Sequence, residues 1–211
     1  MLLALTDQLR CTEAHADSWL VARADVVEAG RMVEGVLGCP VCQAERAVHR
    51  GVVYWSGTEA ERASNGAGDP HPDRVIRIGA LLAFGDSPMP FVLCGAEAAV
   101  ASSLSALSDV PLVLLDPADD RAVLFASIVR GVPAIPFGGG SVRGIALDAG
   151  HCAPGFIASC VHALAPGGRL VAPAATPVPD GVRELARDAE HWVAEREAAP
   201  VTVPLSRVAR N

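Results

Sequence analysis

Residues 91–99 read Phe-Val-Leu-Cys-Gly-Ala-Glu-Ala-Ala. Four apolar residues followed by glycine are typical of a parallel strand that is covered on both faces and ends in a tight loop. Further apolar runs alternate with helical patterns along the chain, and this alternation predicts an α/β fold with a parallel sheet covered by helices. The predicted strands are Phe91–Cys94, Leu112–Leu115, Val132–Ile135, Val142–Leu147, Arg169–Ala172, His191–Glu197 and Val201–Val208, and the predicted helices are Arg74–Phe84, Glu97–Leu107, Asp119–Arg130, Pro154–Leu164 and Gly181–Ala189.

The last two predicted strands are separated only by Ala198-Ala-Pro200. A parallel connection needs a dozen residues or more, whereas an antiparallel pair needs only a short turn. The sequence therefore predicts a terminal antiparallel hairpin at one edge of the sheet.

The first quarter of the chain has a different pattern. Short strands bounded by polar or glycine turns predict a small antiparallel sheet over residues 1–55. Residues 56–73 have the glycine, proline and polar composition of a linker, so residues 74–211 form the predicted α/β domain. The three strands predicted in the first domain are Trp19–Arg23, Arg31–Leu37 and Val48–Trp55.

Two ligand pairs lie in the predicted first domain. Three residues separate Cys11 from His15, and Pro-Val separates Cys39 from Cys42. Thiolates and imidazole suit a tetrahedral structural Zn²⁺, and metal binding can supply folding energy that a small sheet lacks. The alternatives are a redox pair at Cys39 and Cys42 with a buried Cys11, and His49 in place of His15 as the fourth ligand.

Composition limits the remaining function classes. The 211 residues carry a net charge of -7 without a basic run, which disfavours nucleic-acid binding. The apolar runs are too short to cross a bilayer, and the apolar N-terminal stretch meets Asp7 without a basic region before it, so we expect neither a membrane anchor nor a signal peptide. A cytoplasmic location is the resulting expectation, and there six cysteines favour metal or free thiols over disulfides.

Three stretches of the first domain carry a resemblance to a known family. Leu9-Arg-Cys11, Gly38-Cys-Pro-Val-Cys42 and Val48-His-Arg-Gly-Val-Val53 resemble the zinc ribbons of the small methyltransferase-activator family. That resemblance covers about a quarter of the chain and implies docking on a protein partner.

The second domain resembles class I S-adenosylmethionine-dependent methyltransferases. The strand order and Ala165-Pro-Gly-Gly-Arg-Leu-Val171 are similar to that family, which has a Pro-Gly-Gly turn before its fifth strand. The resemblance implies a Rossmann-like, seven-stranded, doubly wound sheet and S-adenosylmethionine as cofactor. Likeness of fold does not by itself establish chemistry.

The cofactor loop departs from the family's pattern of an acidic residue followed by Gly-x-Gly-x-Gly. With Gly95 at the first glycine, Leu93 stands at the acidic position, Glu97 at the second glycine and Ala99 at the third. Glycine lets a ligand approach the backbone closely, so we expect Glu97 to crowd the methionine part of the cofactor. The sequence therefore predicts weakened S-adenosylmethionine binding.

One polar cofactor position matches the family. Asp116 ends the second predicted strand, where the family's acidic residue binds the ribose hydroxyls; a turn and helix N-cap is the alternative. The segment Gly131-Val-Pro-Ala-Ile-Pro-Phe137 is similar to the family's adenine-side pattern, but Gly131 replaces its carboxylate. Gly138-Gly-Gly140 predicts a flexible loop rather than a phosphate site.

Asp148 and His151 are the candidate catalytic pair, because they follow the fourth strand and ligands collect at the carboxyl ends of such strands. A histidine there can act as a general base. The alternative is that both residues cap the next helix or face solvent.

These observations favour a zinc-binding, methyltransferase-like pseudoenzyme that serves as an interaction, structural or regulatory module. The alternative is a divergent active methyltransferase acting on RNA or protein, with Asp116 on the ribose and Asp148 or His151 near the acceptor. A third possibility is that the ribbon docks on a partner enzyme as an activator.

Overall fold

The structure, a computed structural model, describes residues 1–56, 70–118 and 126–198. Within these ranges eleven strands form one mixed sheet. The strands are β1 (Val21–Glu28), β2 (Arg31–Gly38), β3 (Glu45–His49), β4 (Val52–Tyr54), β5 (Phe91–Cys94), β6 (Leu112–Leu115), β7 (Ala126–Arg130), β8 (Val142–Ala146), β9 (Leu164–Pro173), β10 (Val182–Arg187) and β11 (His191–Arg196). The helices are α1 (Leu3–Thr6), α2 (Pro72–Leu82), α3 (Ala101–Ser105) and α4 (Pro154–Ala163), with 3₁₀ turns at Gly95–Val100 and Ala149–His151.

The sheet is continuous from one end of the described chain to the other. Its strand order is β1-β2-β3-β4-β7-β6-β5-β8-β9-β11-β10. The six strands from β4 to β9 in this order are parallel, and β11 is antiparallel to β9. The predicted arrangement of a separate ribbon followed by a seven-stranded sheet is not confirmed, because Val52 of β4 pairs in parallel with Ile128 of β7 and joins the two parts.

The two faces of β5 show how the core is divided. Phe91 and Leu93 belong to the cluster covered by α2 and α3, whereas Val92 and Cys94 belong to the cluster that contains α1 and α4. This second cluster also includes Leu37, Trp55 and other buried residues of the first quarter of the chain. The N-terminal strands therefore share their core with the α/β part. The predicted domain boundaries stay a prediction, and residues 57–69, most of the predicted linker, lie outside the described residues.

Two predicted elements of the α/β part are wrong where the structure describes them. A strand, β7, occupies the second half of the predicted helix Asp119–Arg130, and the predicted strand Val132–Ile135 is a loop. Pro133 cannot donate to a sheet ladder, which explains why the strand ends before it. The first part of that predicted helix, residues 119–125, lies outside the described ranges.

The terminal hairpin is formed by β10 and β11, one strand earlier than expected. Helix formers dominate residues 181–189, but pairing with β11 outweighs that weak propensity, so the predicted helix there is wrong. The predicted strand Val201–Val208 falls outside the described residues. No helix in the described ranges is both long and apolar enough to cross a bilayer.

Candidate metal centre and cleft

Four sulfur and nitrogen ligand atoms meet at one end of the N-terminal strands. Cys11 and His15 lie in the loop between α1 and β1, and Cys39 and Cys42 lie in the turn between β2 and β3. The ligand atoms of these four residues all lie within 4.8 Å of one another, a grouping that could hold a metal ion.

The individual distances are short. The Cys11 and Cys42 Sγ atoms are 3.7 Å apart, and Cys39 Sγ is 3.4 Å from His15 Nε2. His49, the alternative ligand, lies elsewhere, with its Nδ1 2.9 Å from Glu34 Oε2. The structure thus brings His15, and not His49, to the three cysteines.

The ligand loop is anchored to the sheet by an aromatic side chain that sequence reasoning missed. The indole N–H of Trp55, the residue after β4, donates a 2.8 Å hydrogen bond to Thr12 Oγ1, next to Cys11. The Arg46 guanidinium lies 5.3 Å from the Trp55 ring and pairs with Glu13 at 2.6 Å. No spacing rule in the sequence links these positions, because their contacts depend on the turn between β3 and β4.

The thiols of the cluster differ in acidity. Burial opposes ionisation of Cys39, but the backbone N–H groups of Cys42 and Val41 donate to its sulfur and lower its pKa to about 6. Burial raises the pKa of Cys11 to about 11. A cation at the centre would favour thiolates at both positions.

A second group of polar side chains lies at the carboxyl ends of the parallel strands. Asp116 follows β6, and Asp148 and His151 follow β8. His151 Nδ1 is 2.6 Å from Asp148 Oδ1, and His151 Nε2 is 3.5 Å from Asp116 Oδ2. We call this acid, imidazole and acid arrangement the cleft triad, after the crevice at the carboxyl ends of the strands in which open α/β sheets bind ligands. The structure therefore places the candidate catalytic pair beside the candidate ribose ligand.

Gly95, the first residue after β5, lies directly against the cleft triad. Its φ of +55° favours glycine, and a methyl group built on it would overlap the Asp148 carboxylate. Asp148 Oδ2 accepts a 2.9 Å hydrogen bond from the N–H of Ala96. The glycine loop is thus in contact with a carboxylate of the same chain.

The charges of the cleft triad support each other. Burial alone would lower the pKa of His151, but Asp116 and Asp148 outweigh it and raise that pKa to about 9. Burial likewise opposes ionisation of Asp148, yet hydrogen bonds from His151 and the Ala96 amide lower its pKa. His151 therefore carries its proton at neutral pH, when a general base must be unprotonated.

Asp116 has further partners besides His151. It adopts a left-handed φ of 47°, and its Oδ1 accepts a 2.9 Å hydrogen bond from the N–H of Gly131. The alternative role of Asp116 is to cap the helix predicted over Asp119–Arg130. The predicted start of that helix, residues 119–125, lies outside the described ranges. The loop after Gly131 is held to α4, since the Ile135 N–H donates to Ser159 Oγ at 2.9 Å.

Glu97 does not have the position expected from the sequence. It is buried, and its Oε1 lies 2.9 Å from Arg74 Nη2 on α2 and 3.5 Å from His191 Nε2 at the start of β11. The side chain against the glycine loop is Asp148 instead. Sequence reasoning missed Arg74 and His191 because neither belongs to a motif and His191 is far away along the chain.

The strand order and the polar edge define an α/β protein with a mixed sheet whose central strands are parallel. No protein-family profile matches the chain, and no curated protein does.

Two similar solved structures are methyltransferases. One, an S-adenosylmethionine-dependent O-methyltransferase from Thermotoga maritima, has 13% identity and a TM-score of 0.45 over 64% of this chain and 68% of that one. The other, the MycE methyltransferase of mycinamycin biosynthesis in complex with Mg and S-adenosylhomocysteine, has 11% identity and a TM-score of 0.46 over 65% of this chain. The matched region spans 53% of the MycE chain.

Proposed function

We propose that this protein is a zinc-stabilised pseudoenzyme, which does not use S-adenosylmethionine and acts through a protein partner. One observation carries the proposal. The Asp148 carboxylate lies against Gly95 and accepts a hydrogen bond from the N–H of Ala96, in the loop that the cofactor of a methyltransferase would need to approach.

The distances within the Cys and His cluster support zinc as its metal. In a tetrahedral centre with Zn–S bonds of about 2.3 Å, neighbouring ligand atoms lie about 3.7 Å apart. The separation of 3.7 Å between the Cys11 and Cys42 sulfurs and that of 3.4 Å between Cys39 Sγ and His15 Nε2 agree with this geometry. Four protein ligands leave no open position, so the proposed role of the metal is structural.

The His15 ring is also oriented for metal binding. Its Nδ1 lies 2.6 Å from the carbonyl oxygen of Ala16. An N–H at Nδ1 that donates to this carbonyl fixes the tautomer and leaves the Nε2 lone pair for the metal. Nε2 is the ring atom that faces Cys39.

Metal analysis of matched histidine variants tests the site. We expect the purified full chain and His49→Gln to hold one zinc ion per chain by plasma mass spectrometry, and His15→Gln to lose most of it on dialysis against a weak chelator. Equal zinc retention in the two variants would contradict the assignment of His15. Absence of zinc from the unmodified chain after zinc-supplemented purification would contradict the site itself.

The residues of the cleft do not fit S-adenosylmethionine in this arrangement. Leu93, at the position of the family's acidic residue, is buried and apolar. Asp116 accepts from Gly131 and faces His151, and Asp148 is bound to Ala96 and His151. A cofactor would have to displace charged partners that already satisfy one another, which costs free energy.

Isothermal titration calorimetry tests this part of the proposal. We expect no saturable binding of S-adenosylmethionine or S-adenosylhomocysteine to the zinc-loaded full chain. Asp148→Ala removes the carboxylate from the glycine loop. It is the variant in which weak binding of S-adenosylmethionine should first become measurable. A micromolar dissociation constant for the unmodified chain would contradict the proposal.

A divergent active methyltransferase is the second candidate, and the position of Glu97 favours it. Because Arg74 and His191 hold the Glu97 carboxylate, this side chain does not crowd the loop as its sequence position suggests. The candidate requires Asp148 and His151 to move when the cofactor binds. Transfer of a radiolabelled methyl group from S-adenosylmethionine to RNA or protein, lost in Asp116→Ala, would establish it.

A further inference from the structure

Among the described residues, strand β1 lies at an exposed edge of the sheet. It is the terminal strand in the sheet order, and all eight of its residues are exposed. Three of them are valines with exposed fractions of 62% (Val21), 41% (Val26) and 49% (Val27). An exposed, apolar edge strand with free backbone donors and acceptors is a template for pairing with another strand.

The opposite edge of the described sheet exposes fewer large apolar residues. Strand β10 carries Arg183, Glu184 and Arg187, and the last two form an ion pair at 2.9 Å. Charged side chains of this kind discourage pairing with another strand. Leu185, with 38% exposure, is the large apolar residue exposed on β10. Both edges carry charged side chains, but β1 exposes three large apolar residues and β10 exposes one.

The sequence of β1 is complementary to itself in the antiparallel direction. When two copies pair about Ala24, Arg23 of each copy lies opposite Asp25 of the other, and Val21 lies opposite Val27. The Arg23 Nε atom is 3.5 Å from Asp25 Oδ1 within one chain, so both charges lie on the same face of the strand. Opposite charges and apolar pairs at facing positions stabilise an antiparallel ladder.

The other face of the proposed pair is apolar at its centre. In the same register Ala22 lies opposite Val26, and Ala24 lies opposite its own symmetry mate. The pairing of β1 with its inner neighbour β2 is irregular between Ala24 and Val26 and again between Val26 and Val27. An interface in which one patch contacts its own copy has the two-fold symmetry of most homodimers.

From these observations we infer that the protein forms a two-fold symmetric homodimer through antiparallel pairing of β1 with β1 of a second copy, centred on Ala24. The dimer has one continuous sheet that runs through both chains. This inference does not depend on whether the protein binds zinc or S-adenosylmethionine.

Charge reversal tests the register. Arg23→Asp places two pairs of like charges at the interface, and so does Asp25→Arg. By sedimentation velocity over a range of concentrations, we expect each variant alone to weaken the dimer at least about tenfold. Mixing the two variants restores opposite charges at both positions, so the mixture is expected to form a heterodimer. Arg183→Asp on β10 is the control and should dimerise like the unmodified chain.

A covalent trap gives a second readout. Facing Cα atoms of an antiparallel pair lie about 4.5–5.5 Å apart, within the range that a disulfide spans. Under mild oxidation Ala24→Cys should therefore yield a disulfide-linked dimer, whereas Leu185→Cys on β10 should not. Unchanged circular dichroism and zinc content would show that the variants are folded.

Three results would overturn the inference. The first is an unmodified chain that stays monomeric at every concentration. The second is a dimer that neither charge reversal weakens, or that the mixed variants fail to re-form. The third is an Ala24→Cys variant that does not cross-link.

Discussion

The Cys and His cluster and the cleft triad both gather ionisable side chains, but they do so in opposite ways. The cluster holds Cys11, Cys39 and Cys42 with His15, which are all electron-pair donors. The cleft triad places the His151 imidazole between two carboxylates, so its charges are complementary. A group of donors calls for a cation from outside, whereas a group of complementary charges is satisfied within the chain. Closeness of ionisable residues alone therefore does not define a ligand site.

The largest effect is expected from breaking the metal cluster. Cys39→Ser replaces the buried thiol of the cluster. With zinc bound as proposed, the variant should lose the metal together with the order of the ligand loops. Structural zinc contributes about 10 kcal/mol or more to the folding of isolated zinc-finger peptides at neutral pH, and this is an upper bound here because the N-terminal strands share their core with the rest of the sheet. Thermal unfolding followed by circular dichroism, with and without a strong chelator, measures the loss.

Cys152→Ser is the matched control for thiol removal. The Cys152 thiol lies outside the cluster and donates to the Asp148 carbonyl oxygen at 3.1 Å, a bond that a serine hydroxyl can keep. This variant should retain its zinc and its response to chelator. Chelator resistance of the unmodified chain's melting temperature would argue against a structural metal.

Breaking the contact between the glycine loop and the cleft triad comes next. Gly95→Ala introduces both a strained positive φ and an overlap with the Asp148 carboxylate, at an expected total cost of about 4 kcal/mol. Gly140→Ala has a comparable φ of +73° but nothing within 4 Å of the added methyl group. The difference between their urea unfolding free energies isolates the overlap. Equal losses would mean that Asp148 does not lie over Gly95.

The two regions also differ in how far the sequence predicts them. The four cluster residues share two short spacings, and local turns bring such pairs to one point, so their grouping follows from the sequence. The cleft triad combines residues that follow different strands. The sequence correctly places them at the carboxyl ends of the parallel strands. The hydrogen bonds of Asp148 to Ala96 and His151 depend on side-chain rotamers that no sequence pattern encodes.

The fold shows the same division. Strands β5 and β6 have the predicted bounds because they are buried and apolar throughout. Strand β10 was missed because it is an exposed edge whose residues favour a helix, and only its partner β11 makes it a strand. The joining of the N-terminal strands to β7 was missed because a strand pattern does not identify its neighbour in the sheet.

A smaller effect is expected from neutralising the centre of the cleft triad. The His151 pKa rises from 6.5 to about 9 in the folded state, so its contribution is complete below pH 6.5 and is lost as the pH rises through about 9. This shift corresponds to at most about 3 kcal/mol. The unfolding free energy of the unmodified chain should therefore fall between these pH values relative to His151→Gln. Parallel pH profiles for the two proteins would contradict the charge assignment.

The smallest effect is expected at the buried carboxylate beside the cleft. Glu97→Gln weakens the ion pair with the half-exposed Arg74 and should cost about 1 kcal/mol in urea unfolding. Because Glu97 faces Arg74 and His191, the substitution should leave the calorimetric titration with S-adenosylmethionine unchanged. Binding of S-adenosylmethionine by Glu97→Gln would mean that the Glu97 side chain, and not Asp148, obstructs the loop.

A crystal structure of the zinc-loaded chain, grown with saturating S-adenosylmethionine and measured at the zinc absorption edge, tests the comparison of the two regions most directly. We expect an anomalous peak about 2.3 Å from the sulfurs of Cys11, Cys39 and Cys42 and about 2.0–2.1 Å from His15 Nε2, with the Asp148 carboxylate on the Ala96 amide and no S-adenosylmethionine above Gly95. Density for S-adenosylmethionine over Gly95, with Asp148 and His151 turned away, would contradict the proposal that the cleft triad is satisfied within the chain.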